Sequence, residues 1–148
     1  MLDERLRHVL FSMNFVNLYR SLEEEFRNSD ANANYIPSQK EVLEILESRK
    51  YKARYFKSEK FYKIAEIVNG TLVQLNLAFP GSGHKIECIL HVENKTVSLK
   101  DGGPFTLLVS QLTEHAQGAK NIPFSDRAQL ERAMDGVLFI YESIKKLF

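Results

Sequence analysis

A chain of 148 residues with 44% hydrophobic and 26% charged residues is long enough to bury its own core, and residues 1–148 are expected to fold as one domain. A net charge of +1 argues against a uniformly basic nucleic-acid binder and leaves room only for a local patch. A single cysteine, Cys88, excludes an internal disulfide, and it reads as a small buried hydrophobe rather than a reactive thiol.

No apolar run approaches the ~20 residues that a membrane-spanning helix needs. The opening stretch, MLDER, carries both signs of charge and no small-residue cleavage site follows it. The expectation is therefore a cytoplasmic protein without a secretion signal. No internal repeat or low-complexity tract is present.

Residues 2 to 27 predict one long helix. Leu2, Leu6, Val9, Met13, Val16, Leu22 and Phe26 form a stripe, which Leu10, Phe11, Phe15 and Leu18 widen. Near its end lie three consecutive acids, Glu23, Glu24 and Glu25. They read either as a solvated last turn or as a partner-binding acidic patch, since acid is poorly placed at a helix C-terminus. Residues 28–36 are polar and predict a loop. Ser38 and Glu41 then have the spacing of a capping box. It opens a helix over about 39–48 that buries Val42, Leu43, Ile45 and Leu46 and closes on Arg49 and Lys50.

Between Tyr51 and Lys100 the period changes to two, and the chain predicts a five-stranded antiparallel meander. Asn69-Gly70 between alternating apolar runs is the signature of a tight hairpin, because both central residues of a type I′ turn need positive φ. That turn sets Glu66 opposite Val73, Ile64 opposite Leu75 and Tyr62 opposite Leu77. Opposed side chains share a face. One apolar face thus carries Tyr62, Ile64, Val68, Val73, Leu75, Leu77 and Phe79, with Glu66 discordant. Its expected partner is Tyr51, across the sheet edge.

Three further turns carry the register outward. A loop at Pro80–Gly83 predicts Leu77 opposite Ile86, Leu75 opposite Cys88 and Val73 opposite Leu90. A turn at Asn94-Lys95 predicts Val92 opposite Val97 and Leu90 opposite Leu99. A turn at Ser58-Glu59 predicts Tyr55 opposite Tyr62 and Ala53 opposite Ile64. The other face is mixed, with a cationic, aromatic end at Arg54, Phe56, Phe61 and Lys63.

After the sheet, Gly102 and Gly103 are expected to break the last strand, with Pro104 at the first position of a short helix over 105–112. A strand-to-helix corner explains this stretch better than an anion site, since the spacing is not that of a phosphate loop. Residues 113–123 predict a loop. Asp126 and Gln129 then cap a final helix over about 127–146. Leu130, Met134, Val137, Tyr141, Ile144 and Phe148 make its core-facing stripe.

The architecture expected is α+β, the five-stranded meander carrying the N-terminal and C-terminal helices on one face. Catalytic and metal motifs are missing from this pattern. His8, His84, His91 and His115 lack ligand spacing, and no nucleophile elbow or nucleotide-binding glycine motif occurs. Glu66 alone is half of an acid–base pair. The expectation is a protein that is not an enzyme and uses no metal or cofactor.

Three stretches, Tyr51–Lys57 (YKARYFK), Gly102–Leu108 (GGPFTLL) and Leu138–Lys146 (LFIYESIKK), resemble segments of small immunity proteins of bacterial polymorphic-toxin and contact-dependent growth inhibition systems. The resemblance implies a cytoplasmic protein that binds a cognate toxin domain, a nuclease among the common cognates, and blocks its active site or substrate entry. It implies no residue roles. The residues themselves nominate Arg54, Phe56, Phe61 and Lys63 as the binding surface, with Glu23, Glu24 and Glu25 as the second candidate, on a monomer or weak homodimer. The alternatives are a single-stranded nucleic-acid module using the same cationic rings, a secretion chaperone dimerising through the last helix, or a small enzyme at Glu66.

Overall fold

Asn69-Gly70 makes the expected tight turn, with φ of 49° and 84° at its two residues. In the computed structural model, which describes residues 1–29 and 34–148, it joins β2 (Phe61–Val68) to β3 (Thr71–Ala78). Ile64 lies opposite Leu75, Tyr62 opposite Leu77 and Glu66 opposite Val73, as the turn dictates. Along β3 every second residue is buried and the others are half-buried. That alternation is what a sheet with one covered face requires. Gly70→Val should destabilise the fold by about 1–2 kcal/mol or more, because a β-branched residue resists positive φ. Urea denaturation reads this directly, and an unchanged midpoint would mean that the turn does not need the left-handed conformation.

The sheet runs β1-β2-β3-β4-β5, with β1 at Arg54–Phe56, β4 at Lys85–Asn94 and β5 at Leu99–Pro104. All pairs are antiparallel. The β1–β2 register is the expected one, with Tyr55 opposite Tyr62. Beyond β3 the register departs from expectation. Leu77 faces Cys88, Leu75 faces Leu90 and Val73 faces Val92, a shift of two residues. The Pro80–Gly83 turn forms, with the Gly83 N–H donating to the Pro80 carbonyl at 3.2 Å, but Phe79 and His84 lie outside the ladder. The His84 carbonyl is taken instead by the Phe124 N–H. A two-residue shift keeps every side chain on its face, so the apolar pattern is blind to it.

The β4–β5 connection is also different. In place of a two-residue turn at Asn94-Lys95 there is a 3-10 turn at Lys95–Val97, closed by Ser98 at φ 55°. Leu90 therefore faces Gly103 and Val92 faces Asp101. Val97 is turned out to solvent, 48% exposed, rather than into the core. Gly102 and Gly103 do not break β5. They continue it at φ of 143° and 144°, an extended form open only to glycine, which lets β5 pass close to the β4 backbone. Pro104 ends β5 and is the N-cap of α4 (Phe105–Leu112) rather than its first residue. Within the expected 113–123 loop, Ile122–Pro123 forms a short β6 that pairs with the start of β4.

The N-terminal helix is two helices, α1 (Glu4–Ser12) and α2 (Phe15–Phe26). Asn14 separates them in the left-handed conformation at φ 61°. Asparagine visits that region more easily than most residues. The capping box at Ser38 and Glu41 is present, and it opens α3 (Gln39–Ser48) as expected. Of the expected loop at 28–36, residues 30–33 lie outside the described residues. Asp126 caps α5 (Arg127–Lys145) by accepting the Gln129 N–H.

The five helices cover one face of the sheet. Leu6, Phe15, Ile45, Leu75, Leu90, Phe105, Val137 and Tyr141 belong to the core, each no more than 1% exposed. Cys88 is buried there, as expected, and burial pushes its thiol well above the usual range. Val68 and Phe79 are only half-buried at the rim of this core. Tyr141 ties α5 to the middle of the sheet by donating its hydroxyl to the Val73 carbonyl at 2.8 Å. The result is an α+β fold with helices at both termini and one sheet face left uncovered.

Candidate interaction surface

The β1–β2 hairpin forms one end of the uncovered face, and its turn brings the four sequence-nominated residues together. Arg54 lies opposite Lys63 and Phe56 opposite Phe61. The two phenyl rings stack with centroids 5.2 Å apart and planes 28° from parallel. The Arg54 guanidinium sits 5.3 Å from the Phe56 centroid, and the Lys63 ammonium 5.6 Å from it. Both distances suit a cation held against a π face. Arg54 is exposed, and Phe56, Phe61 and Lys63 are half-buried. Farther along β2 on the same face, Ile67 is 76% exposed.

The other side of the hairpin is anchored to the body by rings. Tyr55 and Tyr62 lie 4.7 Å apart, Tyr62 meets Phe79 edge-on at 5.9 Å, and Phe79 meets Phe124 edge-on at 5.8 Å. Burial pushes the Tyr62 hydroxyl up to about 12, with Tyr55 adding to the effect. The hairpin is thus fixed from below while its outer rings stay partly exposed.

Charge is concentrated here. Residues 50–63 hold six of the chain's twenty Lys and Arg but one of its nineteen Asp and Glu, so the segment carries +5 and the remainder −4. Among the described residues, none of Lys50, Lys52, Arg54, Lys57, Lys60 and Lys63 is in an ion pair. The one acid in the segment, Glu59, accepts from Ser58. Most other cations near helices are paired: Arg49, just before the segment, holds Asp135 at 2.8 Å and Glu131 at 3.1 Å. Lys52, Lys57 and Lys60 are exposed and add to the charge of the hairpin region beyond the residues the sequence nominated, Lys60 on the side of Tyr55 and Tyr62. A running charge count over this segment is the signal that finds them.

The acidic run at the end of α2 is distributed over four partners. Glu23 accepts from Arg20 at 2.7 Å and from the Lys120 N–H at 2.8 Å. Glu24 pairs with Arg27 at 3.3 Å, and Glu25 with Arg132 of α5 at 3.8 Å. Glu23 and Glu24 border a groove of about 760 Å³, together with Arg20, Lys85 and Lys120.

Glu66 lies on the helix-covered side but at the rim. The Tyr51 hydroxyl is near enough to feel its charge but bonds Glu142 instead. Lys145 of α5 reaches Glu66 at 2.6 Å and holds Glu142 at 2.8 Å, while Tyr51 donates to Glu142 at 2.6 Å. Burial pulls the Lys145 ammonium down, yet its bonds to Glu142 and Glu66 outweigh this and leave its pKa raised. The cluster is a clamp between α5, the β2 rim and the end of α3, with each carboxylate committed to a cation. His115 bonds Ser110 at 2.8 Å, and no group of three metal-binding side chains occurs among the described residues.

No helix among the described residues is long and apolar enough to cross a membrane. Comparison with known proteins gives no match for this chain, whether to a family model, a curated protein or a solved structure.

Proposed function

We propose that this chain is a non-catalytic binding protein, of the immunity type, that binds and neutralises a cognate toxin domain through its β1–β2 hairpin. The observation that carries the reading is the Arg54–Phe56–Phe61–Lys63 cluster: stacked, half-buried rings flanked by cations that are in no ion pair among the described residues. Binding surfaces concentrate their energy in a few aromatic and arginine anchors, and this is such a set on a rigid two-stranded support. Arg54 facing Lys63 is a like-charge pair, unfavourable in the free protein. An acidic partner surface relieves that repulsion on binding.

The experiment is calorimetric titration against the toxin domain encoded in the adjoining reading frame. Arg54→Glu with Phe61→Ala should weaken binding by well over tenfold, or more than about 1.4 kcal/mol. Circular dichroism serves as the folding control. Unchanged affinity in the folded double variant removes the hairpin from the interface.

The stacked rings and their cations also suit single-stranded nucleic acid, whose bases stack on aromatic side chains while its phosphates meet Lys and Arg. Salt separates the two readings. Affinity for an oligonucleotide that falls steeply between low and moderate salt supports this second reading.

A further inference from the structure

We infer that the open edge of β1 is a docking edge for an acidic extended segment of a partner protein, which adds there as a further strand. The inference rests on the binding reading above and names the partner's chemistry. Among the described residues β1 is the end of the sheet order and pairs with β2 alone. The opposite edge is occupied differently. There Asp3, just before α1, donates its N–H to the Asp101 carboxylate at 2.6 Å, and Arg5 donates to the carbonyl of Val97 in the turn ahead of β5. The Phe56 carbonyl of β1 accepts from Lys60 within the hairpin turn, and among the described residues no strand pairs with the outer side of β1; such an edge is a template for another strand.

Charge decides which strand it accepts. Two copies of this chain meeting edge to edge would oppose two segments of +5 each, so the lysines guard β1 against its own kind. The same lysines attract an acidic strand. A long polyanion fits less well, because beyond the hairpin it meets a body of net charge −4, and surface charge acts over only about 8–10 Å at physiological salt. A short acidic segment of a protein meets the basic region and nothing else. With three residues in β1 the backbone supplies few bonds, so charge and side-chain contacts must contribute the rest of the affinity.

The two faces specify alternate side chains. Partner residues opposite Arg54 and Phe56 would lie on the outer face, beside two cations and the stacked rings. The residue opposite Tyr55 would lie on the inner face, at a cleft of about 320 Å³ bordered by the rings of Tyr55, Tyr62 and Phe79 and by Ile36, with Gln39 and Lys60 also in its lining. The matching sequence alternates an acid with an apolar or aromatic residue.

The probe is a capped nine-residue peptide alternating Glu with Val, compared with the same peptide carrying methyl groups on alternate backbone nitrogens. Methylation keeps charge and side chains but blocks edge pairing. Calorimetry gives affinity, and amide hydrogen exchange reports on residues 54–56. The unmodified peptide should bind, slow exchange at 54–56, and lose at least tenfold in affinity on methylation. It should also lose at least tenfold against the variant Lys52→Gln, Lys57→Gln, Lys60→Gln. Equal binding of both peptides, weakened alike by Arg54→Glu, overturns strand addition and leaves the hairpin as a binding surface. Binding of neither overturns the acidic-strand assignment, and the toxin titration then stands as the separate test of the parent reading. Tighter binding of a fifteen-residue oligothymidylate than of the peptide overturns it in favour of nucleic acid.

Discussion

Gly102→Ala is expected to destabilise the fold by about 3–5 kcal/mol, enough to leave little folded protein in a domain of ordinary stability. Two costs coincide at this position. Its φ of 143° belongs to a region that L-residues almost never enter. A Cβ built there would also lie 2.0 Å from the Leu90 carbonyl oxygen and 2.8 Å from its carbon, both backbone atoms of β4. Backbone cannot swing aside as a side-chain tip does, so relief requires β5 to separate from β4. Two neighbours in composition divide the effect into parts. Gly103 has the same kind of φ, 144°, but a Cβ there meets only Leu107 Cδ2 at 3.7 Å, an ordinary contact. Gly103→Ala should therefore carry the strain alone, about 1–3 kcal/mol. Gly118 has no positive φ and no atom near its Cβ, so Gly118→Ala should change stability by no more than about 0.5 kcal/mol. Urea denaturation of the three variants should rank them 118, 103, 102 in rising cost. Equal costs at 102 and 103 would show that the Leu90 carbonyl is not a rigid neighbour.

The same glycines mark the boundary of what the sequence discloses. A glycine pair ahead of a proline is a stop signal by local rules, and only the nearness of β4 makes it a place where a strand must continue without side chains. Asn14 is similar. The apolar spacing runs unbroken from Leu2 to Phe26, and no proline or glycine interrupts it, so the left-handed residue that divides α1 from α2 leaves no mark on the pattern. By contrast, the capping residues Ser38 and Asp126 act within four residues of themselves and are legible. So is Asn69-Gly70, for the same reason. The face assignment carried across β2, β3 and β4, though not to Val97 in the 3-10 turn, because it depends only on parity. The pairing did not, because a shift of two preserves parity.

The candidate surface follows that division. Phe56 and Phe61, and Arg54 and Lys63, are cross-strand neighbours across one short turn, so a local argument assembles them. The Lys145 clamp joins residues 79 positions apart, and the alternation in β2 shows only that Glu66 is out of place. Reading it as a partner of Tyr51 follows from the sheet alone. The actual partner comes from α5, whose angle across the sheet is set by core packing.

Leu75→Ala tests the core and the corrected register together. Leu75 lies at the centre of β3, wholly buried, with Ile64 opposite it on one side and Leu90 on the other. Truncating a buried leucine costs about 2–5 kcal/mol through lost transfer energy and the cavity left behind. The high end is expected here, since neighbours held in strands on both sides cannot collapse into the space. Gln74, the adjacent residue on the uncovered face, donates to Asn76 at 3.0 Å, and Gln74→Ala should cost no more than about 1 kcal/mol. Similar losses in the two variants would mean that the faces are interchanged. Pairing is tested by double-mutant cycles. With Leu90 directly opposite and Cys88 displaced diagonally by two residues, Leu75→Ala should couple with Leu90→Ala more strongly than with Cys88→Ala. Couplings between contacting residues run to about 0.5–3 kcal/mol, within reach of the measurement. A stronger coupling to Cys88 would restore the register that the Pro80–Gly83 turn alone predicts. In that register Phe79 would pair with His84 inside the ladder, and the His84 carbonyl would no longer be free to accept the Phe124 N–H.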